Sequence, residues 1–369
     1  MKIVITGAGG GHFYPLIAVI EHVFKETFIQ KIIQPEVYFF SDAPYDERVL
    51  YETQIKYVHV PAGKLRIYPS PENILDIIKT CWGCVVAIIK LYHYYPDVVF
   101  AKGGYASFPT VFAAKLLSIP VVVHESDTIP GRTTHFAGNF AMRVAISYPE
   151  AATYYRTEVL ALTGQPIRDI YLPPENYKRN YERKLRPVIM ILCGSQGSQR
   201  INEMIVNILP ELLNTYDIVH QVGPKNVEVM KQLTKERLHG HPYEEHYFMD
   251  GFIDLSLFYP KVDLVITRGS SAMFEMAMWQ LPMIVIPLPP TISRDQTSNA
   301  YAMASRGVAS VLEEGNATPS IIFAEINRIL SISENYKHMS EAGLKFSNCR
   351  TAATTIAREL IRIGLSHSE

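Results

Sequence analysis

The chain has 369 residues, of which 48% are hydrophobic and 19% are charged. Because single domains usually contain about 100–200 residues, this length predicts two domains, each with enough apolar material for its own core. The net charge of -1 argues against a nucleic-acid-binding protein, which would usually carry a concentrated positive patch.

The four cysteines are too few and too scattered for a disulfide framework, which favours a reduced, cytoplasmic setting. Cys81 and Cys84 form a lone C-x-x-C inside an apolar helical pattern, so we interpret them as packing residues rather than redox or metal ligands. The N-terminal segment is not expected to be a signal peptide, because its short apolar run leads straight into glycines. No apolar run reaches the length of about 18–20 residues that a transmembrane helix needs.

In the first half of the chain, short runs rich in β-branched residues alternate with helical patterns. The runs predict strands at Lys2–Thr6, Glu36–Ser41, Lys56–Val60, Asp97–Lys102, Pro120–Glu125 and Arg143–Ser147. Helices are predicted between them, including Tyr14–Phe28, Glu72–Tyr94 and Phe108–Leu117. Because the strands lack polar alternation, we expect a parallel sheet covered by helices on both faces.

The pattern restarts after a linker-like stretch at 158–186, which contains several prolines and a charged run. Further strands are predicted at Val188–Cys193, Asp217–Gln221, Tyr247–Met249, Asp263–Thr267, Met283–Pro287 and Ala309–Leu312. The sequence therefore predicts an α/β protein with two Rossmann-like, doubly wound parallel-sheet domains of similar size. Ligands bind such sheets at the carboxyl ends of the strands, so we expect the two domains to face each other across one cleft.

A glycine-rich turn follows the first strand of the second half, in "ILCGSQGSQRINEMI". A helix start offers free backbone N–H groups and a positive dipole end, and glycines let the backbone approach a phosphate. The alternative is an ordinary helix cap formed by Ser195 or Ser198. This stretch alone leaves both interpretations open.

Polar residues also cluster at three strand ends of the first half. His12 follows the glycines of "TGAGGGHFYP", which is a weak dinucleotide signal, and it is either a catalytic residue or an exposed turn histidine. Tyr105 opens the helix after "AKGGYASFP". His124, Glu125 and Asp127 crowd together in "VVVHESDTIPG", where a functional role is favoured over turn and cap chemistry.

Two polar clusters occupy equivalent positions in the second half. Glu275 lies in the first turns of the helix in "VITRGSSAMFEMA", where it either complements the helix dipole or accepts two ribose hydroxyls. Asp295 and Gln296 of "SRDQTSNAYA" either cap a helix or bind sugar hydroxyls, with Asn299 one turn further on.

Taken together, these stretches resemble the MurG family of glycosyltransferases, which add N-acetylglucosamine to a lipid-linked muramoyl-peptide in peptidoglycan synthesis. The matching stretches run in the family's order from residue 7 to about 310: "GGGHFYP", "KGGYASFP", "IPVVVHESDTIPG", "GQPIR", "CGSQGSQRINE", "HQVG", "GFID", "AMFEMAMWQLPMIVIPLP" and "DQTSNA". The resemblance implies a GT-B fold and an inverting transfer from UDP-N-acetylglucosamine (UDP-GlcNAc) that needs no metal or other cofactor. It also implies a peripheral location on the cytoplasmic face of the cell membrane.

The resemblance further implies three regions: an acceptor- and membrane-side domain at 1–160, a UDP-sugar-binding domain at 161–345, and a segment at 346–369. A helix at about 349–363 in that last segment is expected to pack back on the first domain.

Residue roles follow from the same resemblance. The donor-binding residues would be Arg168, Gly194, Ser195, Gln196, Gly197, Ile253, Ala272, Met273, Glu275, Asp295 and Gln296. The acceptor-binding residues would be Gly10, Gly11, Tyr105, His124, Glu125 and Asp127. The glycine-rich loop would face the diphosphate, the backbone of Ile253 the uracil, and Glu275 the ribose. Asp127 replaces an asparagine that is usual in the family, and Asp295 replaces a glutamine or histidine.

The expected catalytic base is His12, because an imidazole titrates close to the working pH. Asp127 is the alternative base, or else orients the acceptor. We find no convincing D-x-D that would hold a metal, so backbone N–H groups of the glycine-rich loop are expected to stabilise the departing diphosphate.

The aromatic and apolar stretch at 65–95, with Arg66, Lys79 and Lys90 interspersed, predicts association with a membrane surface. Burial of this stretch in the first core is the alternative. Two other functions stay open from the sequence: transfer to a different glycolipid, and non-catalytic binding of a nucleotide sugar.

Overall fold

The computed structural model describes residues 1–64, 72–182, 184–192, 194, 197–293, 295–346 and 348–367. Ser195 and Gln196 of the glycine-rich loop, and Arg66 of the aromatic stretch, therefore lie outside the described residues. The chain divides into two compact units. The first unit comprises Met1–Asp169 with Asn348–Glu369, and the second comprises Ile170–Ser347.

Each unit is built on one parallel sheet. Among the described residues, the strands of the first unit are β1 (Lys2–Thr6), β2 (Glu36–Ser41), β3 (Lys56–His59), β4 (Val98–Ala101), β5 (Val121–Glu125), β6 (Arg143–Ile146) and β7 (Leu160–Leu162), in the order β3-β2-β1-β4-β5-β6-β7. Those of the second unit are β8 (Val188–Leu192), β9 (Asp217–Gln221), β10 (Tyr247–Asp250), β11 (Leu264–Thr267), β12 (Met283–Val285) and β13 (Ala309–Val311), in the order β10-β9-β8-β11-β12-β13.

Helices connect the strands, as parallel pairing requires. In chain order they are α1 (Phe13–Ile29), α2 (Glu47–Glu52), α3 (Glu72–Tyr94), α4 (Phe108–Leu116), α5 (Arg132–Gly138), α6 (Gln199–Leu213), α7 (Val227–Arg237), α8 (Leu255–Phe258), α9 (Ala272–Met278), α10 (Gln296–Ser305), α11 (Pro319–Leu330), α12 (Ser333–Gly343) and α13 (Cys349–His367).

The apolar strands are buried on both faces, which explains their lack of polar alternation. Ile3 and Ile5 of β1 belong to one core cluster, whereas Val4 between them belongs to a second cluster on the opposite face. Phe39 and Phe40 of β2 divide between the same two clusters. The predicted class, two doubly wound parallel-sheet domains, is confirmed.

Strand ends differ slightly from the sequence prediction, and one strand was not predicted. β12 ends at Val285, before the predicted end at Pro287, and a proline has no N–H to give to a sheet. β7 has only three residues, which pair with β6, and this is too short for a periodic signal. Because β7 extends the first sheet, the first unit continues to Asp169, beyond the predicted boundary at 160.

The C-terminal helix α13 belongs to the first unit. Its buried residues Ala353, Ile356 and Leu360 share a core cluster with Leu16 and Ile20 of α1. An ion pair between Arg358 and Glu26, at 3.0 Å, flanks this contact. The chain therefore returns to complete the core that its first residues begin.

The strand order reverses direction between β1 and β4 in the first sheet and between β8 and β11 in the second. In open parallel sheets such a switch point leaves a crevice beyond the carboxyl ends of the strands, where ligands bind. The loops after these four strands carry the glycine-rich motifs and the Glu275 motif, and the polar clusters at Asp127 and Gln296 follow the neighbouring strands β5 and β12. The fold thus gathers these motifs at one edge of each sheet.

Candidate active site

Two glycine-containing loops meet at the switch point of the first sheet. The N–H of Ala8 donates to the carbonyl of Gly103 at 3.3 Å. A Cβ added to Gly104, whose φ is 79°, would lie 2.5 Å from the Cβ of Ala8. Only glycine permits both this backbone conformation and this close approach. Gly10 and Gly11 lie exposed on the same edge, next to His12.

His12 precedes α1 and contacts the second of these loops. Its Nδ1 lies 3.1 Å from the carbonyl oxygen of Lys102. A carbonyl only accepts, so Nδ1 must carry the proton, and the neutral ring then presents an unprotonated Nε2. Burial, followed by the positive charge of Lys102, holds the pKa of His12 below its ordinary value, while Asp127 acts in the opposite direction. His12 is therefore a neutral imidazole near pH 7, with one nitrogen able to take a proton.

Glu125 organises the loop after β5. Its Oε1 accepts from the N–H of Asp127 at 3.0 Å, and its Oε2 accepts from the N–H of Gly131 at 3.0 Å and from the hydroxyl of Thr134. Burial, with Asp127 adding to it, raises the pKa of Glu125 to about 7. Both oxygens accept hydrogen bonds from the loop or from α5, and the acceptor contact expected for Glu125 stays a prediction.

His124 is also internal, with 0% of its surface exposed. Its Nε2 donates to the carbonyl of Gly164 at 3.0 Å, and burial holds its pKa well below the ordinary value. A direct contact with an acceptor, as predicted for His124, is therefore not supported. Asp127 is only half-buried, and its charge acts on both His12 and Lys102.

Tyr105 forms a cluster that the sequence did not reveal. Its hydroxyl donates to Oδ2 of Asp42 at 2.7 Å, and the hydroxyl of Tyr45 donates to Oδ1 of the same carboxylate at 2.7 Å. Asp42 directly follows β2, so its position at a strand end is the signal that could have identified it. Burial raises the pKa of Tyr105 to about 12, which keeps this hydroxyl a donor.

In the second unit, the turn after β8 depends on glycine. Gly194 and Gly197 have φ values of 82° and 70°, and the N–H of Gly197 donates to the carbonyl of Gly194 at 3.1 Å. A Cβ on Gly197 would lie 1.9 Å from the carbonyl oxygen of Val222. Ser198 occupies the cap position of α6, but its hydroxyl accepts from Arg268 at 2.7 Å instead of capping the helix. Side-chain capping by Ser198 is therefore not supported.

Gln221, at the end of β9, bridges two loops that the sequence assigns to the donor. Its Nε2 donates to the carbonyl of Gly194 at 3.1 Å, and its Oε1 accepts from the N–H of Ile253 at 3.0 Å. The side chain of Gln221 is buried. Sequence reasoning missed this role, because it depends on two partners distant in the chain.

Glu275, in α9, is held by a buried tyrosine. The hydroxyl of Tyr259 donates to Oε2 of Glu275 at 2.9 Å. Burial raises the pKa of Glu275 to about 7, although the bond from Tyr259 lowers it. Ala272 is the first residue of the same helix. The Met273 side chain is fully buried, and the Met273 N–H donates to the carbonyl of Ser270 at 3.1 Å. Met273 therefore contributes packing.

Gln296 begins α10, directly after Asp295, and its orientation is fixed. Its Oε1 accepts from the N–H of Leu288 at 3.1 Å, which leaves the amide nitrogen as the group that can donate to a ligand. A Cβ on Gly269 would lie 2.3 Å from the carbonyl oxygen of Gln296. The loop after β11 and the start of α10 are thus packed closely together.

Arg168 belongs to the first unit, where its guanidinium pairs with Glu21 of α1 at 2.7 Å. The donor contact expected for Arg168 stays a prediction. In the described parts of the chain, no three His, Cys, Asp or Glu side chains are grouped so that they could hold a metal ion.

Comparison with known proteins identifies the family. The glycosyltransferase family 28 N-terminal domain matches residues 3–146, and the glycosyltransferase family 28 C-terminal domain matches residues 188–355. The chain is 34% identical over 366 residues to a UDP-N-acetylglucosamine--N-acetylmuramyl-(pentapeptide) pyrophosphoryl-undecaprenol N-acetylglucosamine transferase from Bacillus cereus, with 97% of this chain and 99% of that protein covered. The chain belongs to the MurG family. It is therefore an N-acetylglucosaminyltransferase.

Solved structures agree on the fold. The crystal structure of MurG from Acinetobacter baumannii has a TM-score of 0.71 at 22% identity, with 98% of this chain and 99% of that chain covered. The UDP-GlcNAc 2-epimerase from Neisseria meningitidis has a TM-score of 0.66 at 14% identity, with 98% and 99% covered. A transferase and an epimerase share this fold, so the family assignment rests on sequence identity.

Proposed function

We propose that this MurG-family enzyme transfers N-acetylglucosamine from UDP-GlcNAc to the 4-hydroxyl of the muramoyl sugar in the undecaprenyl-linked muramoyl-peptide acceptor, lipid I, giving lipid II. The transfer inverts the anomeric carbon and needs no metal or other cofactor. The main observation behind this proposal is that His12, at the switch point of the N-terminal unit, is a neutral imidazole with an unprotonated Nε2. The activity named for the Bacillus cereus relative supports the choice of donor and acceptor.

In this mechanism the acceptor hydroxyl attacks the anomeric carbon from the face opposite the diphosphate. Nε2 of His12 takes the hydroxyl proton as the new bond forms, and Asp127 stabilises the resulting imidazolium. The bond between the anomeric carbon and the diphosphate breaks, and UDP leaves with the bonding electrons. Sugar hydroxyls accept from the amide nitrogen of Gln296 or donate to Asp295.

The second unit supplies the donor contacts. Glu275 accepts hydrogen bonds from the two ribose hydroxyls, while Tyr259 holds its other carboxylate oxygen. The N–H of Ile253 already donates to Gln221, so the carbonyl oxygen of Ile253 is the backbone group that contacts the uracil. Backbone N–H groups of the turn after β8 face the diphosphate. One such preorganised donor is typically worth about 2.7–4 kcal/mol in the transition state.

Helix α3 supports peripheral binding to the membrane. Its buried residues are Gly83, Ala87 and Leu91. Large apolar side chains on the rest of its surface are exposed, including Ile74, Leu75, Ile78 (60%), Trp82 (60%), Ile89 and Tyr92 (74%). This exposure argues against burial in the first core, the alternative left open by the sequence. Among the described residues, no helix combines the length and apolarity needed to cross a bilayer. We propose that α3 lies in the membrane interface, with Lys79 and Lys90 near anionic headgroups.

A turnover assay with a synthetic undecaprenyl or shorter-chain lipid I and several nucleotide sugars tests the proposal. We expect the disaccharide lipid as product, with UDP-GlcNAc strongly preferred and no loss of activity in EDTA. Equal turnover with UDP-glucose would contradict the donor assignment. Loss of activity in EDTA, with recovery in magnesium or manganese, would contradict the metal-free mechanism. A product formed only on another glycolipid would contradict the acceptor assignment.

The catalytic base is tested by paired variants. His12→Ala is expected to lower kcat about a hundredfold or more, because general bases contribute roughly 10²–10⁴-fold. Affinity for UDP should stay unchanged, since His12 lies in the first unit. If His12→Ala keeps near-normal kcat while Asp127→Ala is inactive, the aspartate is the base.

A further inference from the structure

Lys102 is a buried cation that the proposed mechanism does not use. It follows β4, and only 1% of its surface is exposed. Burial lowers its pKa to about 8, so it remains largely protonated at neutral pH. Removing an ammonium group from water is costly unless partners satisfy it, and Nζ of Lys102 donates to the hydroxyl of Ser126.

The two ends of this residue reach the two loops that carry the candidate bases. Its carbonyl oxygen accepts from Nδ1 of His12 at 3.1 Å, and its ammonium holds Ser126, the residue before Asp127. The hydroxyl of Ser126 in turn donates to Oε1 of Gln165 at 3.0 Å. Lys102 thus connects the two loops, because its backbone carbonyl holds the His12 ring and its side chain holds the turn that bears Asp127.

We propose that Lys102 is a positioning residue for the transfer reaction: its carbonyl oxygen orients the His12 ring, and its buried ammonium fixes the Ser126–Asp127 turn beside it. The proposal rests on the role assigned above to His12. It differs from that role because Lys102 contacts neither substrate nor the reacting atoms.

The charged groups around Lys102 determine in which direction its removal changes the pKa of His12. Glu125 and Asp127 lie on the loop after β5, and both stabilise the protonated form of Lys102. His124, on β5, stays neutral because it is buried, and Lys102 disfavours its protonation as well. Without the lysine charge, the negative charge of Asp127 acts on His12 uncompensated. Protonation of His12 then becomes easier, and the free base is lost at a higher pH.

Three variants separate the charge of Lys102 from its packing. Lys102→Gln keeps a donor for Ser126 but removes the charge, Lys102→Met removes both, and Lys102→Arg keeps the charge. Lys115→Met is the matched control, because Lys115 is an exposed lysine on α4 of the same unit. For each protein we would measure thermal unfolding, the pH profile of kcat/KM, and the His12 ring titration by NMR, assigned with His12→Ala.

We expect the neutral variants to raise the pKa of His12 by about one unit, as loss of a nearby like charge does, and to shift the acidic limb of kcat/KM equally. Lys102→Arg should titrate like the unmodified enzyme even if its kcat falls, and Lys115→Met should leave the His12 titration and the pH profile unchanged. A folded Lys102→Gln or Lys102→Met variant with unchanged His12 titration overturns the proposal. If both neutral variants fail to fold while Lys102→Arg folds with a shifted His12 titration, the proposal is also overturned.

The proposed function can fail separately. A shifted His12 titration with an unchanged pH profile of kcat/KM would leave Lys102 as the group that sets the state of His12, but would remove His12 as the base.

Discussion

At the scale of single residues, the half-buried carboxylate of Glu275 makes donor binding sensitive to pH. Its pKa is raised to about 7 by burial, so the ionised form dominates above that pH and is lost as the pH falls. The ionised form is the better acceptor for ribose hydroxyls. We therefore expect UDP affinity to fall up to about tenfold between about pH 8 and pH 6, as the ionised fraction falls.

Calorimetry with Glu275→Gln provides the control, because UDP itself titrates in this range and the glutamine does not. The ratio of the two affinities should change with pH. At about pH 8, Glu275→Ala should cost about 1.5–3 kcal/mol, as expected for loss of a charged hydrogen-bonding partner. Parallel pH profiles, or unchanged UDP affinity in Glu275→Ala, would remove Glu275 from the donor site.

The residues found from sequence share one property: they follow a predicted strand within a glycine-rich or polar motif. His12, Glu275 and Gln296 were identified in this way. Position at a strand end does not say which way a side chain points, so His124 was assigned to the acceptor although it is buried. Lys102 is significant because of partners on separate loops, which no local pattern records.

At the scale of structural elements, the turn after β8 needs a glycine at a single position for two reasons. Gly197 has a positive φ, and a side chain there would collide with the backbone of Val222. Gly240 also has a positive φ, of 75°, but no atom lies within 4 Å of its would-be Cβ. The two positions therefore separate backbone strain from steric collision.

We expect Gly197→Ala to destabilise the protein more than Gly240→Ala, whose cost should be about 1 kcal/mol from backbone strain alone. Gly197→Ala should also weaken UDP binding, because the turn must shift, whereas Gly240→Ala should bind UDP normally. Thermal unfolding and calorimetry measure both effects. Normal UDP affinity in Gly197→Ala would indicate that this turn does not face the diphosphate.

The exposed face of α3 leads to a prediction about membranes. Ile78→Glu and Trp82→Glu should each weaken binding to anionic vesicles about tenfold or more, since burying such a side chain is worth about 1.5–3 kcal/mol. Ile33→Glu is the control, because Ile33 is 87% exposed in a loop outside this helix. Flotation of the variants with vesicles measures binding. Equal flotation of all three with the unmodified protein would contradict a role for α3.

Elements were predictable from sequence where burial on both faces gives an uninterrupted apolar run. The bounds of β1 and β2 coincide with the prediction, and so do those of α3. β7 was missed, because three residues at a sheet edge do not form a pattern. The exposure of α3 was undecided for a different reason: an apolar helix can face a core or a membrane with the same sequence.

At the scale of the whole molecule, the two units are organised differently along the chain. The second unit is continuous, from Ile170 to Ser347, and its main core is formed from residues within that range. The first unit is discontinuous, because α13 supplies core residues to the face of the sheet that α1 covers. Local patterns predict each half, but only the family resemblance implied that the last helix returns to the first domain.

This difference predicts how the units behave when separated. Residues 170–347 expressed alone should fold and unfold cooperatively. Residues 1–169 alone should be largely unfolded or insoluble, because they leave the partners of Ile356, Leu360 and Ile363 uncovered. Losing those three contacts at about 1.5–3 kcal/mol each approaches the total stability of about 5–15 kcal/mol that is typical of a domain.

Joining residues 348–367 to residues 1–169 through a flexible linker should restore cooperative unfolding, measured by circular dichroism. A linked helix carrying Ile356→Asp and Leu360→Asp is the matched control, and it should not restore folding, because buried charges cannot replace apolar contacts. Residues 1–169 that unfold at the same temperature with and without the helix would show that α13 is dispensable. The first unit would then fold from its N-terminal segment alone, with α13 only covering its surface.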